Sequence, residues 1–451
     1  MENISIKKIL EMTNGTLNFE IDENLIIENI SHDSRQIKEN SLYVAINGEN
    51  LDGHRFVDSA LKNGAIAAIV EKPTSGRDIL VDDCYVAIKR IAMAYKDMFD
   101  IPIVSVTGSS GKTTTKDMLY YAISKSCNTL RNLGNLNTEI GLPMTIYNLN
   151  KEHQCAILEM GMYELGEIDY LAEIARPNIA VITNVGVAHM QSVGSRENIL
   201  KAKMEISNYM TAKDILIING DNDMLKTVDK NAYKFKIYTF GIEEGNDFRM
   251  TSYNVLQNSM KIKASMLGEE LEYTIPTLGI HNIYNSLSVL GVCKVMGLDM
   301  DKSIQGIAEY QPSKYRMEIK QLGDKTVVED FYNANPDSMK ASIETFKDID
   351  GSRRVAILAD MLELGGISQE SHRMIGKIAG DIFDVIICIG QEASYIGQEA
   401  QRLGFASINI HCFDKNKEAI EKINSILKPG DTILIKGSRG MKLEEVAESI
   451  C

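Results

Sequence analysis

Basic charge is in short supply in this chain of 451 residues: 48 Lys and Arg stand against 62 Asp and Glu, for a net charge of −14. A nucleic-acid footprint requires a basic face, so no nucleic-acid partner is expected, although a local basic pocket for a small anion stays open. No apolar run is long enough to cross a bilayer. The opening "MENISIKKILEMTNG" scatters charges where a secretory signal needs an apolar core, so no membrane insertion is expected. Cysteine is sparse. The seven residues Cys84, Cys127, Cys155, Cys293, Cys388, Cys412 and Cys451 are widely spread, odd in number and form no C-x-x-C pair. That pattern speaks against a disulfide framework and a zinc site, and the expected location is the reducing cytoplasm. Solenoid repeats and low-complexity tracts are also missing.

What is present is the composition of an ordinary globular protein, 44% hydrophobic and 24% charged. The length is too great for one core, so two to four domains are expected. In the first part of the chain, "SLYVAINGENLDGHRFVDSALKNGAIAAIVEK" reads as strand, loop, amphipathic helix, strand. After Ile101-Pro102, short apolar strands alternate with helices: "IPIVSVTG", "QCAILEMG", "NIAVITNVG" and "DILIING". This alternation predicts a parallel sheet covered on both faces. Residues 235 to 276 turn β-rich, and "NIYNSLSVLGVCKVMG" follows as a helix. Near Gln311-Pro312-Ser313 the pattern restarts, with "KTVVEDFY", "RRVAILADM", "DVIICIG" and "DTILIKG" as strands of a second, smaller α/β domain.

The stretch "VSVTGSSGKTTT" hands a strand over to a helix. Glycines there let backbone N–H groups close around phosphate oxygens, and the helix N-terminus adds positive potential. Lys112 supplies a point charge to the terminal phosphates, and the Thr113 hydroxyl is a candidate Mg²⁺ ligand. The motif is shorter than G-x-x-x-x-G-K-T, because Val106 stands at the first glycine position. A Gly/Ser turn capping a helix is the plainer alternative, but the strand before and the helix after favour a nucleoside triphosphate.

A GTPase would show N-K-x-D after a later strand, and none is found; motor and kinase elements are not legible either. Polar residues do gather at strand ends, where open parallel sheets bind ligands. Glu159 closes "CAILE", His189 follows "AVITNVG", and Lys203 lies in "KAKMEI". Singly, each reads more readily as a cap or a solvated surface residue. Together with Thr113 they could supply acceptor ligands for more than one Mg²⁺.

At this point the residues resemble a family, the ATP-dependent Mur ligases of peptidoglycan synthesis, nearly end to end. "DSRQIKENSLYVAINGENLDGHRFVDSALKNGA" is similar to its uridine-nucleotide module, and "TGSSGKTTTKDML" to its ATP loop. "NLNTEIGLP", "ILEMGMYELGEI" and "ITNVGVAHMQSVGSRENILKAKMEI" resemble its central signatures, and "GIHNIYNSLSVL" its adenine motif. "EDFYNANPDSM", "DMLELG" and "DTILIKGSRGMKLEEV" resemble the member that adds D-alanyl-D-alanine; the D-N-P-R string of the diaminopimelate-adding sister is missing. Ser110 stands where the family often has Asn, and Ala359 where Gly is common.

The resemblance implies an α/β protein of three domains. Residues 1–97 would form a mixed α/β domain for the UDP-sugar, and residues 98–313 a central parallel-sheet, P-loop ATPase-like domain for ATP. Residues 314–451 would form a Rossmann-like domain for the incoming dipeptide. The implied reaction joins D-Ala-D-Ala to UDP-MurNAc-tripeptide with ATP and Mg²⁺, through an acyl phosphate. The implied nucleotide cradle is Gly108, Ser109, Ser110, Gly111, Lys112, Thr113 and Thr114. Thr113 and Glu159 would hold one Mg²⁺ and His189 a second, and Lys203 aligns with a lysine that can be carbamylated. Asn282 and Asn285 would read adenine, Arg316 would reach ATP phosphate, Asp330 would hold ribose, and Asn333 would line the closed cleft beside it. Asn137 and Asn335 would face the acyl substrate and the cleft, and Ser34 and Arg35 the uridine diphosphate. Without the resemblance, Asn282 and Asn285 could be helix N-caps, "DSR" a polar turn, Arg316 a surface ion-pair residue and "NANP" only a turn. Two other readings stay open: a folyl-polyglutamate or cyanophycin synthetase relative, and a regulatory nucleotide-binding protein without catalysis. A monomer is expected, with hinges near Tyr310-Gln311-Pro312 and Ser313.

Overall fold

The computed structural model describes residues 1–48 and 51–450. Three principal sheets follow one another along the chain, with a two-stranded ribbon at the start. The first sheet has five strands in the order Thr16–Leu17, Asp78–Leu80, Ala65–Val70, Ser41–Val44, Asn29–Ser31. All its pairings are parallel except the one at Thr16–Leu17. The expected strand–loop–helix–strand unit is Ser41–Val44, helix Val57–Lys62 and Ala65–Val70.

The second sheet has nine strands. Its parallel part runs Thr129–Arg131, Cys155–Glu159, Ile103–Thr107, Ile179–Ile182, Ile215–Asn219, Lys236–Gly241, Phe248–Leu256. Every residue of Ile103–Thr107, Cys155–Glu159 and Ile179–Ile182 is buried. Helices on both faces leave such strands no solvent side, which is why they read as unbroken apolar runs. The β-rich stretch after residue 235 is not a separate layer. Ser259–Met266 and Glu269–Ile275 add to the edge at Phe248–Leu256 as antiparallel strands. Ser259–Met266 alternates buried with exposed positions, the period-two pattern of a strand with one wet face.

The third sheet runs Glu318–Leu322, Lys325–Glu329, Asp431–Lys436, Arg353–Ala359, Val385–Ile389, Ile410–Phe413. Only the first pair, a hairpin around Gly323, is antiparallel. The sequence reading recovers the four inner strands and misses the two outer ones. Glu318–Leu322 and Ile410–Phe413 are edge strands with no fully buried residue, so they carry no apolar run to detect.

Helix Cys84–Lys96 joins the first two sheets into one core. Tyr147 Oη donates to Ile88 O at 2.9 Å, Tyr170 Oη to Tyr85 O at 3.0 Å, and Tyr95 Oη to Leu149 O at 2.6 Å. Lys89 pairs with Glu173 across the same seam. Cys84, Cys127, Cys155, Cys293, Cys388 and Cys412 are free thiols; Cys451 lies outside the described residues. Among the described residues no helix is long and apolar enough to cross a membrane.

Candidate active site

The phosphate loop sits at the carboxyl end of Ile103–Thr107, in the middle of the second sheet. Gly108 and Gly111 adopt φ of +153° and +80°, backbone that favours glycine. Space requires glycine as well: a Cβ would lie 1.8 Å from Thr183 Oγ1 at Gly108 and 2.7 Å from Asn285 Oδ1 at Gly111. The loop is held by the neighbouring strand end. Ser109 N donates to Asn184 O at 3.1 Å, Ser110 N to Asn184 Oδ1 at 2.9 Å, and Thr183 Oγ1 to Ser110 O at 2.6 Å. Helix Lys112–Ile123 begins without a side-chain cap and without an acidic residue in its first turn, so the positive end of its dipole is uncompensated. Lys112 Nζ folds back to donate to Gly108 O at 2.8 Å. Replacing Gly111 by alanine is expected to weaken ATP binding by about tenfold, because both φ and the Asn285 contact must give; nucleotide titration checks this.

Glu159 is 2% exposed. Its Oε1 accepts from Asn137 Nδ2 at 2.7 Å, while Oε2 has no hydrogen-bond partner and lies 3.4 Å from Lys116 Nζ. His189 sits at φ +63° on a tight turn after Ile179–Ile182, its Nδ1 3.2 Å from Glu363 Oε2 without hydrogen-bond geometry. Burial, with the Lys112 and Lys203 ammonium groups, pushes His189 down to about 4, so its imidazole is neutral near pH 7. Lys203 is 1% exposed. Burial, then the charge on Lys112, holds it well below the ordinary lysine value. Lys112 is also lowered by burial, with Arg316 in the same direction and Glu159 opposing.

Among the described residues no three His, Cys, Asp or Glu side chains converge as a metal cage. Mg²⁺ does not call for one: one or two protein oxygens plus substrate phosphates suffice. The unpartnered Oε2 of Glu159 and the hydroxyl of Thr113, both on one cavity, fit such an ion.

The cavity measures about 340 Å³ and draws walls from the second and third sheets. On the second-sheet side, helix Ile280–Val295 starts at Gly279, its N-cap. Asn282 and Asn285 are therefore not caps. Asn282 Nδ2 donates to Leu278 O at 2.8 Å, and Asn285 Nδ2 to Asn282 Oδ1 at 3.2 Å. On the third-sheet side, Arg316 Nη2 donates to Thr113 Oγ1 at 3.1 Å and stacks on Tyr332, with its centre 4.2 Å from the ring centroid. Asp330 Oδ2 accepts from Lys436 Nζ at 2.6 Å and from the Ser342 hydroxyl. Asn333 Oδ1 accepts from Ala334 N at 2.9 Å. Asn335 caps helix Pro336–Phe346, and its Nδ2 reaches Ser109 O at 3.5 Å. "NANP" is thus a helix start that also touches the phosphate loop. With the Asp337 contact to Val187 N at 3.3 Å, the two sheets are closed on each other. Tyr315 and Met317, in the connecting segment, take φ of +64° and +53°, a strained path that needs support from both sides.

Ser34 and Arg35 stand apart. They form a one-turn 3₁₀ helix, Ser34–Gln36, in the first sheet's unit. Arg35 forks onto Asp33 at 2.9 and 2.8 Å, and its hydrogen bonds hold the Asp33 carboxyl down at about 2. Neither Ser34 nor Arg35 lines the central cavity. At Ala359 the methyl group is accommodated by Gly437, where a Cβ would lie only 2.7 Å away.

Four cavity neighbours had no role in the sequence reading. Asn184 holds the loop, Lys116 faces Glu159, Lys436 anchors Asp330, and His281 lines the cavity with an unpartnered Nδ1. All four lie inside quoted motifs, "ITNVG", "TGSSGKTTTKDML", "KGSRGMK" and "GIHN", but nothing in a string says which polar residue points inward. Burial pushes His281 down to about 4; Asp330 pulls upward and Lys436 downward. The folded value lies below the unfolded one, so the unfolded chain binds more protons between about pH 6.5 and 4. Stability from this group is present above that window and falls as pH drops through it. His281→Gln is expected to reduce the stability lost between about pH 7 and pH 4.5 by about 2 kcal/mol, read from urea midpoints.

Residues 106–293 match the Mur ligase middle domain, 315–439 the Mur ligase, glutamate ligase domain, and 26–103 the Mur ligase family, catalytic domain. The UDP-N-acetylmuramoyl-tripeptide–D-alanyl-D-alanine ligase of Bacillus subtilis (strain 168) is 34% identical, over 99% of this chain and 98% of its own length. A crystal structure of MurF from Acinetobacter baumannii superposes with a TM-score of 0.93 at 29% identity, covering 100% of this chain and 99% of that one. MurF ligase from Thermotoga maritima, in complex with ADP, has a TM-score of 0.83 at 30% identity, covering 93% and 96%. Three domain matches in order and full-length similarity at this level show that the chain belongs to the Mur ligase family.

Proposed function

We infer that this chain is an ATP-dependent ligase that adds D-Ala-D-Ala to UDP-MurNAc-tripeptide, giving UDP-MurNAc-pentapeptide, ADP and phosphate in peptidoglycan precursor synthesis. The Bacillus subtilis relative is named for that reaction, and the Thermotoga maritima relative holds ADP. The observation that carries the reading is the reach of Arg316, from the third-sheet side, to Thr113 on the phosphate loop. On this reading nucleotide, acyl group and amine would meet in one crevice, which that contact supports. The proposed division is 1–97 for the UDP-sugar, 98–313 for ATP and 314–451 for the dipeptide, in a cytoplasmic monomer.

A carboxylate acylates poorly because oxide leaves poorly. Phosphorylation by ATP makes an acyl phosphate, which the dipeptide amine attacks with loss of phosphate. Two anions must meet, so positive charge is the chief requirement. Lys112 would release Gly108 O and steady the β- and γ-phosphates. The N–H groups from Gly108 to Thr114 would cradle them, and Arg316 would stabilise charge on the transferring phosphoryl group. Asn282 and Asn285 would read adenine from the wall of the cavity, with Asp330 on the ribose and Asn333 beside it. Asn137 would hold the acyl end, and Asn335 would tie the closed third unit to the loop. Ser34 and Arg35 would meet the uridine diphosphate away from the chemistry. Thr113 and Glu159 would hold one Mg²⁺ and neutral His189 a second; bound there, Mg²⁺ supplies charge that offsets repulsion between carboxylate and triphosphate. Closure at Asn335–Ser109 and Asp337–Val187 would keep water from the acyl phosphate.

Lys203 is buried, and burial followed by the Lys112 charge disfavours its ammonium form; carbon dioxide is captured by the neutral amine. Carbamylation would convert it to a carboxylate directed at the metal side. Intact mass of active enzyme should exceed the sequence mass by that of carbon dioxide, and an unmodified mass at full activity would exclude it.

The decisive test measures phosphate release from ATP. Release should require both UDP-MurNAc-tripeptide and D-Ala-D-Ala, and hydroxylamine should trap a hydroxamate when the tripeptide and ATP are present without the dipeptide. Release driven by glutamate and a folate instead, or none at all, would overturn the reading.

A further inference from the structure

A second cleft, of about 310 Å³, shares Thr113, Arg316 and Tyr332 with the nucleotide cavity. Its walls carry five cations, Lys116, Arg131, Lys314, Arg316 and Arg439, against the single carboxylate of Asp117. In a chain of net charge −14, such a local excess is not the average surface. Asp117 cannot balance it, since both its oxygens are engaged: Oδ1 with Arg131 Nη1 at 2.8 Å, Oδ2 with Ser313 Oγ at 2.5 Å. Lys116, 1% exposed, is ion-paired with Glu159 at 3.4 Å and Asp117 at 3.7 Å, and Arg439 with Glu444 at 3.2 Å, which leaves Lys314 and Arg316 as the cleft's cations without a carboxylate partner among these contacts. Arg316 Nε is buried without a partner. A buried guanidinium donor without an acceptor calls for one, and the cleft's cations outnumber the carboxylate that lines it.

The cations are also positioned. Arg131 lies over Tyr120 at 4.0 Å, Arg316 over Tyr332 at 4.2 Å, and Lys314 over Tyr315 at 4.6 Å. Stacking on an aromatic face fixes a guanidinium plane and leaves N–H edges to bind a ligand. Guanidinium forks suit tetrahedral oxyanions. The cleft meets the first cavity at Thr113 and Arg316, the end where, on the proposed function, the γ-phosphoryl group would be transferred.

We propose that this cleft is a second anion site that takes orthophosphate, separated from the nucleotide cavity by the Arg316–Thr113 hydrogen bond. Its ligand could come from the reaction or from solvent. Only the first source rests on the proposed function; the site itself does not.

The test uses the full chain with the nucleotide cavity filled by ADP. Inorganic phosphate is titrated at constant ionic strength, and the Lys314→Gln/Arg439→Gln double variant serves as comparison. Both residues are exposed, so folding should be unaffected, and retained ADP affinity confirms it. Saturable binding of phosphate, weakened about tenfold or more in the double variant, is expected. No binding beside ADP, or equal binding by the variant, overturns the site. Stopped-flow phosphate release then assigns the source. Altered release with unchanged hydroxamate trapping means that reaction phosphate passes through the cleft. Unchanged release with lost equilibrium binding means that solvent phosphate fills it. Absence of any turnover would count against the ligase reading and leave the ADP-filled titration to decide the site.

Discussion

Lys112→Ala is expected to lower ligation by about a thousandfold or more while leaving UDP-MurNAc-tripeptide binding unchanged. The ammonium sits at the start of helix Lys112–Ile123, hydrogen-bonded to Gly108 O of the same loop. That contact is local and does not tie the loop to any other element, so losing it should not unfold the protein. On the proposed function, what disappears is a charge beside the transferring phosphoryl group, where a low dielectric magnifies its effect. Burial already lowers Lys112, so arginine, larger and differently shaped, should not restore the rate. Steady-state phosphate release and calorimetric binding of the UDP substrate separate the two effects. Near wild-type ligation by the alanine variant would place the ATP site elsewhere.

The largest stability effect is expected at Asp330. Lys436 is 2% exposed, and its ammonium is held by Asp330 Oδ2 at 2.6 Å, by Asp330 O at 3.2 Å and by Asn333 O at 3.5 Å. Asp330→Ala leaves a buried cation with carbonyl oxygens alone, a situation that costs about 3–5 kcal/mol. Lys436→Met should cost less, because the orphaned carboxylate keeps the Ser342 hydroxyl and, on its other oxygen, Met317 N at 3.3 Å. Urea denaturation of the nucleotide-free variants checks the order. Equal losses, or a larger loss for Lys436→Met, would mean that the pair acts through packing rather than charge. ADP titration of Asp330→Ala under stabilising conditions tests the proposed ribose contact separately.

Local features were legible because they are written in neighbouring residues. The inner strands of the second and third sheets are continuous apolar runs bounded by glycine and polar turns. The phosphate loop is a strand, a tight glycine turn and a helix in consecutive positions. The edge strands Glu318–Leu322 and Ile410–Phe413 were not legible, since half-exposed strands carry mixed residues. Nor was the antiparallel extension at Ser259–Met266 legible as part of the second sheet, because alternation announces a strand without naming its neighbour. Asn184 shows the same limit from the other side. "ITNVG" marks only a strand end in the sequence, while its asparagine holds the phosphate loop from that adjacent strand.

The sequence by itself determined the order of the inner strands and their helices, the phosphate loop and the family, since each depends on residues close along the chain or on their order. Tertiary structure alone decided that Arg316 meets Thr113, that Asn335 reaches Ser109, and that Lys436 rather than solvent partners Asp330. It also separated Arg35 from the cavity and drew five cations into a second cleft. Those contacts join residues about one hundred to more than two hundred positions apart. Their geometry is set by how three sheets pack, a property of the buried core as a whole that no local pattern encodes.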